Sequence, residues 1–411
     1  MPTVNKQPFH GYLFARGLSN LMDEVWFAAV PLWLALNEFS QRDLGIIQSA
    51  STTGDLLGFV LLPFLAAKAS PRKSALLGDA VAATSMLALG VHFLIGQFSI
   101  YNLAVYSLLT SFGFAIWFAN SDATIAEMLG QKNSGAYHRL LQISLNFGQL
   151  AGPFVARLLI AFFSLPIVAL VNSFTYFAQL VTLSVSTKTM RTPSLKGQHS
   201  HFDFKYFKNF YGPGLSRMKS SPILFPQTIV SIGFKISLLT VPFVILHIAT
   251  ISGQAWATFS ASCVGIGMVV SAISLKKLDD IQLGANFYRY TIAMSFVSAA
   301  IPYFTFTNQS PIWLCGGLAL WGFFVARYQI FFRTIRQRVE PASSFPSIVA
   351  VQGLAVRILQ PFCGIVLPLV YRASDSKFVT VAFPCALALF VIWAGFVLRR
   401  NYQSFLLTEG N

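Results

Sequence analysis

The chain has 411 residues, 55% of them hydrophobic and only 10% charged, with a formal net charge of +15. A soluble globular domain carries about 25% charged residues, so this composition excludes an ordinary soluble protein. The basic surplus alone would suit nucleic acid, but its distribution along the chain has another cause.

A membrane-spanning helix needs roughly 20 mostly apolar residues. Such runs fall near 12–37, 44–67, 74–96, 99–128, 135–162, 165–186, 222–248, 252–275, 286–307, 311–333, 346–371 and 377–398. Only helices or closed barrels satisfy their backbone in lipid, and these runs are too long for barrel strands. The expected fold class is therefore an all-α membrane protein with twelve transmembrane helices. The first run lacks a small-residue cleavage site and reads as a retained helix rather than a signal peptide.

Between the runs, basic and nearly uncharged breaks alternate. The basic ones hold Lys6; Lys68, Arg72 and Lys73; Lys132 and Arg139; the 187–221 loop; Lys276, Lys277 and Arg289; Arg333, Arg336 and Arg338; and Arg399 and Arg400. The others hold Arg42, Arg372 and Lys377. This is the positive-inside pattern. It places both termini and the long middle loop in the cytoplasm and explains the charge without a nucleic-acid partner.

The order of spans reads as six, a loop, and six more. Pro31 of the first span and Pro242 of the seventh are 211 positions apart. Pro153 of the fifth and Pro361 of the eleventh are 208 apart, and Gln142 and Gln352 are 210 apart. A repeat of that length with an even number of spans gives two half-bundles of the same orientation, a known transporter architecture with its site at the midplane. The expected organisation is an N-terminal half (1–186), a cytoplasmic linker (187–221) and a C-terminal half (222–411).

LAAKASPRKSALLGD (65–79), between spans two and three, resembles the loop signature of the major facilitator superfamily. Lys68, Arg72 and Lys73 keep its basic character, Ala67 stands where an Asp is expected, and Asp79 is a candidate substitute. GQLAGPFVA (148–156) in span five resembles the Gly-rich antiporter motif, with Gly148, Gly152 and Pro153 in place and Ala156 and Arg157 at its end. Small residues permit close helix approach and Pro bends a helix, so the segment reads as a pivot or as plain packing. In that family the motif is associated with exporters more than with importers. YLFARGLSNLMDEVWFAAVPLWLAL, LGQKNSGAYHRLLQISLNFGQLAGP, GLSRMKSSPIL and RQRVEPASSFPSIVAVQGLAVRILQP look like the enterobactin-exporter and macrolide-efflux branch, in order over nearly the whole chain.

Ionisable side chains within spans cost about 2.5–3.5 kcal/mol at the bilayer centre on insertion scales and are functional candidates by default. Asp23 and Glu24 lie near the middle of span one and Lys235 near the middle of span seven. The proline alignment makes positions 24 and 235 equivalent, an acid and a base in corresponding places. Adjacent residues lie about 100° apart round a helix, so the two acids need not share a face. Loss of water favours a neutral carboxyl and a nearby ammonium favours the charged one. At least one acid is thus expected to load and release a proton, the alternative being a fixed pair with Lys235 or Arg16. Asp55 in span two and Arg357 in span eleven form a second set; in the resembled fold those helices face each other, and a bridge there reads as a gate or as a static pair. Arg327 in span ten reads as an anion contact or as a side chain snorkelling to the interface. Arg157 reads as snorkelling; Asp122 and Glu127 are expected to meet basic loop residues, with the cavity as the alternative for Asp122.

In the resembled fold the aromatics Trp26, Phe27, Trp33, Trp117, Phe234 and Trp321 lie on cavity-lining helices. An aromatic wall with a few cations suits a bulky, partly apolar anion such as a siderophore. His199, His201 and Asp203 form too loose a set for a metal site, and the alternating aromatic and Lys residues of 199–214 read as an interfacial segment on anionic lipid. The cysteines (Cys263, Cys315, Cys363, Cys385) lack zinc-like spacing and read as packing residues. No P-loop pattern occurs, which disfavours direct ATP coupling.

The resulting expectation is a monomeric secondary transporter of a bacterial inner membrane with no enzymatic activity and no cofactor. Its partners are the bilayer, protons and a small molecule, with proton-coupled export of a siderophore or metallophore ahead of import and of macrolide-like drug efflux. A non-transporting membrane sensor is the remaining alternative.

Overall fold

The computed structural model describes residues 6–96, 98–129, 134–187, 204–221, 223–274, 311–339 and 345–372, with a few isolated positions between 289 and 397. Within them the secondary structure is entirely helical. The helices are α1 (Lys6–Leu36), α2 (Gln41–Lys68), α3 (Pro71–Leu94), α4 (Ile100–Leu129), α5 (Ser134–Phe162) and α6 (Leu165–Ser186). They are followed by α7 (Phe204–Ser220), α8 (Leu224–Ser252), α9 (Gln254–Ile273), α10 (Pro311–Val339), α11 (Phe345–Arg357) and α12 (Gln360–Arg372). Spans nine and twelve of the sequence reading, Cys385 and the His199–Asp203 group fall almost wholly outside the described residues.

The helix starts follow local chemistry. Ser40 and Asp43 form a reciprocal capping box ahead of α2, and Ser70 caps α3 with Pro71 in its first turn. These devices satisfy backbone donors that have no intrahelical partner. Among the described residues, eight segments are long and apolar enough to cross a membrane. The fold is thus an all-α membrane protein. α1 is not among the eight, and its interior carries Arg16, Asp23 and Glu24.

One expected element differs. The eleventh span, read as one run, is two helices separated at Ile358 and Leu359. Pro361 lacks an N–H, and its ring clashes with the carbonyl four residues back, which is that of Arg357. α11 therefore ends at Arg357, where a cation also meets the negative end of the helix dipole.

Small residues set the closest packing. A Cβ at Gly78 of α3 would lie 2.5 Å from the Gly113 carbonyl of α4, and one at Gly45 of α2 would lie 2.5 Å from the Gly364 carbonyl of α12. Between helices in lipid, where apolar burial gives little drive, such backbone approach supplies much of the association.

α1 packs on α5 and α6, α3 on α4 and α6, and α2 on α4; later in the chain α9 packs on α10. The earlier helices meet the later ones most extensively where α1 packs on α8, α2 on α12 and α5 on α9, with smaller contacts of α2 on α11 and α8. Their polar links include Ser49 Oγ to the Pro361 carbonyl (2.9 Å) and Asn146 Nδ2 to the Met268 carbonyl (3.3 Å).

The middle segment also makes contacts that the sequence reading did not anticipate. Phe207, Phe210 and Tyr211 pack on protein. Tyr211 is buried and its hydroxyl donates to the Phe59 carbonyl of α2. Ser347 of α11 donates to the Phe210 carbonyl and accepts from the Gly214 N–H. α7 thereby bridges α2 and α11. Apolar side chains at 207, 210 and 211 share one helical face, which this cluster covers, while Lys208 is exposed.

Candidate functional site

A central cavity of about 350 Å³ lies between the earlier and later helices. That is at the lower end of the range for small-molecule sites. α1 contributes Asp23, Glu24, Trp26 and Phe27; α2 Asp55; α5 Gln149 and Pro153; α6 Asn172 and Tyr176; α8 Lys235; and α10 Trp321. The lining is mostly apolar, with charge at a few points.

The two adjacent acids face different partners. The Tyr176 hydroxyl donates to Asp23 Oδ1 at 2.5 Å, Asn172 also hydrogen-bonds this carboxylate, and Arg16 Nη1 stands 4.0 Å from Oδ2. Glu24 instead meets the Gln149 side chain and lies in the field of Lys235. Asp23 thus belongs to the α1–α6 interior, and Glu24 faces α5 and α8. The turn of about 100° between neighbouring residues produces this division.

Asp55 and Arg357, 302 positions apart, are in direct contact: Arg357 Nε donates to Asp55 Oδ2 at 2.5 Å. The guanidinium carbon lies 4.1 Å from the Phe59 ring centroid, and Nη1 donates to the Gly353 carbonyl at 3.3 Å. A desolvated guanidinium is held here by a carboxylate, a ring face and a carbonyl.

Three residues expected at the cavity lie outside its lining. Trp117 is buried under the Arg16 guanidinium, whose carbon stands 3.7 Å from the ring centroid. Phe234 is buried beside the rings of Trp321 and Tyr328. It immediately precedes Lys235 and so points about 100° away from it. Arg327, also buried, donates to Ser274 Oγ at 2.5 Å and lies over Phe323, on the α9 side of its helix. Trp33 joins a cluster with Phe39 and Phe98 at the end of α1.

Gly148 and Gly152 abut α1. A Cβ at Gly148 would stand 3.1 Å from the Asn20 carbonyl, and one at Gly152 2.8 Å from the Glu24 Cβ. Of the loop residues, Lys68 and Lys73 are exposed, and Arg72 donates to the Ser184 carbonyl at 3.2 Å. Asp79, expected near that loop, is instead 1% exposed, buried in the helix bundle. Gln179 Nε2 donates to its Oδ1 at 2.7 Å, and Gln179 Oε1 accepts from Arg16 Nη1 at 3.1 Å. Sequence reading missed this network. Its only sequence signal is an acid and a glutamine inside otherwise apolar runs. The side chains of Asp122, Glu127, Arg333, Arg336 and Arg338 lie outside the described residues; Arg157 is exposed.

The family model described as Major Facilitator Superfamily matches residues 12–360. No curated protein matches the chain in sequence. Among solved structures, a bacterial homologue of the iron transporter ferroportin in its outward-facing state, with soaked iron, superposes with a TM-score of 0.70 at 15% identity, covering 95% of this chain and 98% of that one. The peptide transporter POT in complex with alafosfalin gives 0.69 at 13% identity, with 97% and 95% covered. A D-xylose–proton symporter gives 0.68 at 12% identity, with 95% and 97% covered. Likeness at these identities speaks to the fold, and the family match over most of the chain speaks to membership. The chain belongs to the major facilitator superfamily of membrane transporters.

Proposed function

We propose that this transporter is a proton-coupled exporter of a bulky, partly aromatic anion of the siderophore or metallophore class, acting from a bacterial inner membrane as a monomer with both termini in the cytoplasm. Residues 1–186 and 222–411 act as two halves that rock about the central cavity, joined by the 187–221 linker. The observation that carries the reading is the placement of Glu24 and Lys235, from α1 and α8, on one cavity with Trp26, Phe27 and Trp321. The ammonium takes the anionic group and the rings take the apolar body. Gly148, Gly152 and Pro153 act as the pivot that lets α5 move against α1. Asp55 and Arg357 act as the gate of one access state. A cavity of about 350 Å³ admits such a substrate only as the halves part.

The reading is tested by profiling medium and cells of a deletion strain. Loss of a metal-chelating metabolite from the medium, with its retention in cells, supports export. Normal secretion with failed uptake of added compound overturns export in favour of import.

One observation favours import. Lys235 lies in the field of Glu24, so substrate and carboxylate compete for one ammonium. A buried carboxylate that loses its counter-charge takes up a proton more readily, so anion and proton binding reinforce each other, as in symport. Binding of a catecholate siderophore to the purified protein against pH separates the directions once the compound's own titration is controlled. Weaker binding at low pH supports antiport, and tighter binding that disappears in Lys235→Met supports symport. Lys235→Met is expected to weaken affinity about 10-fold or more, in keeping with about 1.5–3 kcal/mol for a hydrogen bond to a charged group. Unchanged affinity removes this lysine from the substrate site.

A further inference from the structure

At the edge of the cavity, whose lining includes Arg16 and Asp23, α1, α3 and α6 enclose two carboxylates and one guanidinium. Arg16 is 3% exposed and Asp79 1%. Asp23 is about a quarter exposed, and its open face lies on the cavity. Asp79 and Gln179 are absent from the cavity lining. The links run inward from the cavity: Asp23 Oδ2 to Arg16 Nη1 (4.0 Å), Arg16 Nη1 to Gln179 Oε1 (3.1 Å), and Gln179 Nε2 to Asp79 Oδ1 (2.7 Å). Arg16 acts electrostatically on both acids, which also act on each other.

The charge does not balance. Two ionised acids against one guanidinium leave one uncompensated negative charge in a low-dielectric interior, which costs several kcal/mol. Among the described residues the surroundings supply no second cation. α4 faces Arg16 with the rings of Trp117 and Phe114. α6 offers the neutral groups Tyr176, Asn172 and Gln179. Tyr12 of α1 packs near Ala75, one turn before Asp79. Glu24 adds a further acid beside Asp23 and is served by Lys235. Asp55 of α2 is held by Arg357, and Arg72 of α3 is turned to the Ser184 carbonyl. Asp79 has the geometry of a neutral acid: Oδ1 accepts from Gln179, while Oδ2 is buried with no hydrogen-bond donor among the described residues. An ionised carboxylate would leave that oxygen's charge unsolvated.

We propose that Asp79 is a proton-binding site and that Asp23 and Asp79 share one proton under the control of Arg16. With Arg16 toward Asp23, as here, the proton resides on Asp79. When Arg16 turns toward Asp79, that acid ionises and Asp23, bonded to Tyr176 and open to the cavity, takes up the proton. The proton count is conserved; only the partner of the guanidinium changes. The store is distinct from Glu24, and its use in transport rests on the proton coupling proposed above.

Infrared spectroscopy of the purified full chain in lipid nanodiscs, reading the carbonyl stretch of protonated carboxyl groups at neutral pH, tests the assignment. The wild type should show a band that Asp79→Asn removes. Asp23→Asn, which keeps Asp79 but leaves Arg16 a single acid to neutralise, should remove the same band. Arg16→Gln should retain it. A band unchanged in Asp79→Asn, or in Asp23→Asn, overturns the shared proton, whatever transport does. Loss of the band in both, with accumulation indifferent to a proton gradient, upholds the shared proton and overturns the coupling reading instead. Because the Asp23→Asn result reads Asp79 in place, the assignment stays testable if Asp79→Asn folds poorly.

Discussion

Glu24→Gln in reconstituted vesicles should abolish accumulation of substrate against its gradient while the protein retains its folded yield. With one proton moved per substrate, a difference of about one pH unit sustains about tenfold accumulation, since about 1.4 kcal/mol is a factor of ten. The variant should fall to about equal concentrations on the two sides. Glutamine keeps the length of the side chain and its bond with Gln149, so packing changes little while the titrating group is lost. Asp23→Asn should have a similar effect for a different reason: Tyr176 can still donate to the amide oxygen, but Arg16 loses one of its acids. The measurement is uptake of labelled substrate under an imposed pH difference, with thermal unfolding as the folding control. If both variants accumulate like the wild type, with unchanged pH dependence, α1 carries no part of the proton path.

The apolar runs made the helices legible because lipid demands them: each described span lies within a few residues of a run visible in the sequence. The positions of Asp23, Glu24, Asp55, Lys235 and Arg357 stood out for the same reason, as charges that lipid disfavours. Partnership was less legible. That Asp23 turns to Tyr176 and Arg16, and Glu24 to Gln149, depends on helix rotation, which hydropathy does not record in a helix apolar on most sides. Asp79 was assigned to the loop signature because it lies near Arg72 and Lys73 in sequence. One and a half to two helical turns carry it instead into the bundle, where Gln179, 100 positions on, becomes its partner. The aromatic segment before residue 214 could not be read from periodicity alone. An amphipathic face fits lipid and protein equally well, and the surface that covers this one comes from Phe59 and Ser347, far away in the chain.

Asp55→Asn and Arg357→Gln should each shift the balance between access states by about 5–30-fold, the factor that corresponds to one or two kcal/mol. Removing one partner of a buried pair costs more than the pair is worth, because the other charge stays behind without compensation. Here the asymmetry is marked. Arg357 is 6% exposed and lies against the Phe59 ring, whereas Asp55 reaches the cavity. Asp55→Asn should therefore be the more damaging change. It strands a buried guanidinium, while Arg357→Gln leaves an acid that cavity water can reach. Exchanging the two charges should restore part of the loss. Recovery should stay incomplete, because an acid at position 357 forfeits the ring contact with Phe59 and the bond to the Gly353 carbonyl, and the shorter side chain widens the gap. The readout is the accessibility of single cysteines placed at either end of α2 and α12, taken through a double-mutant cycle. Coupling of about 0.5–3 kcal/mol is expected for contacting residues. Effects that simply add would mean that the pair, though in contact, does not govern access, and the join of α2 to the later helices would then rest on its glycine packing against α12 and the Ser49 bond to the Pro361 carbonyl.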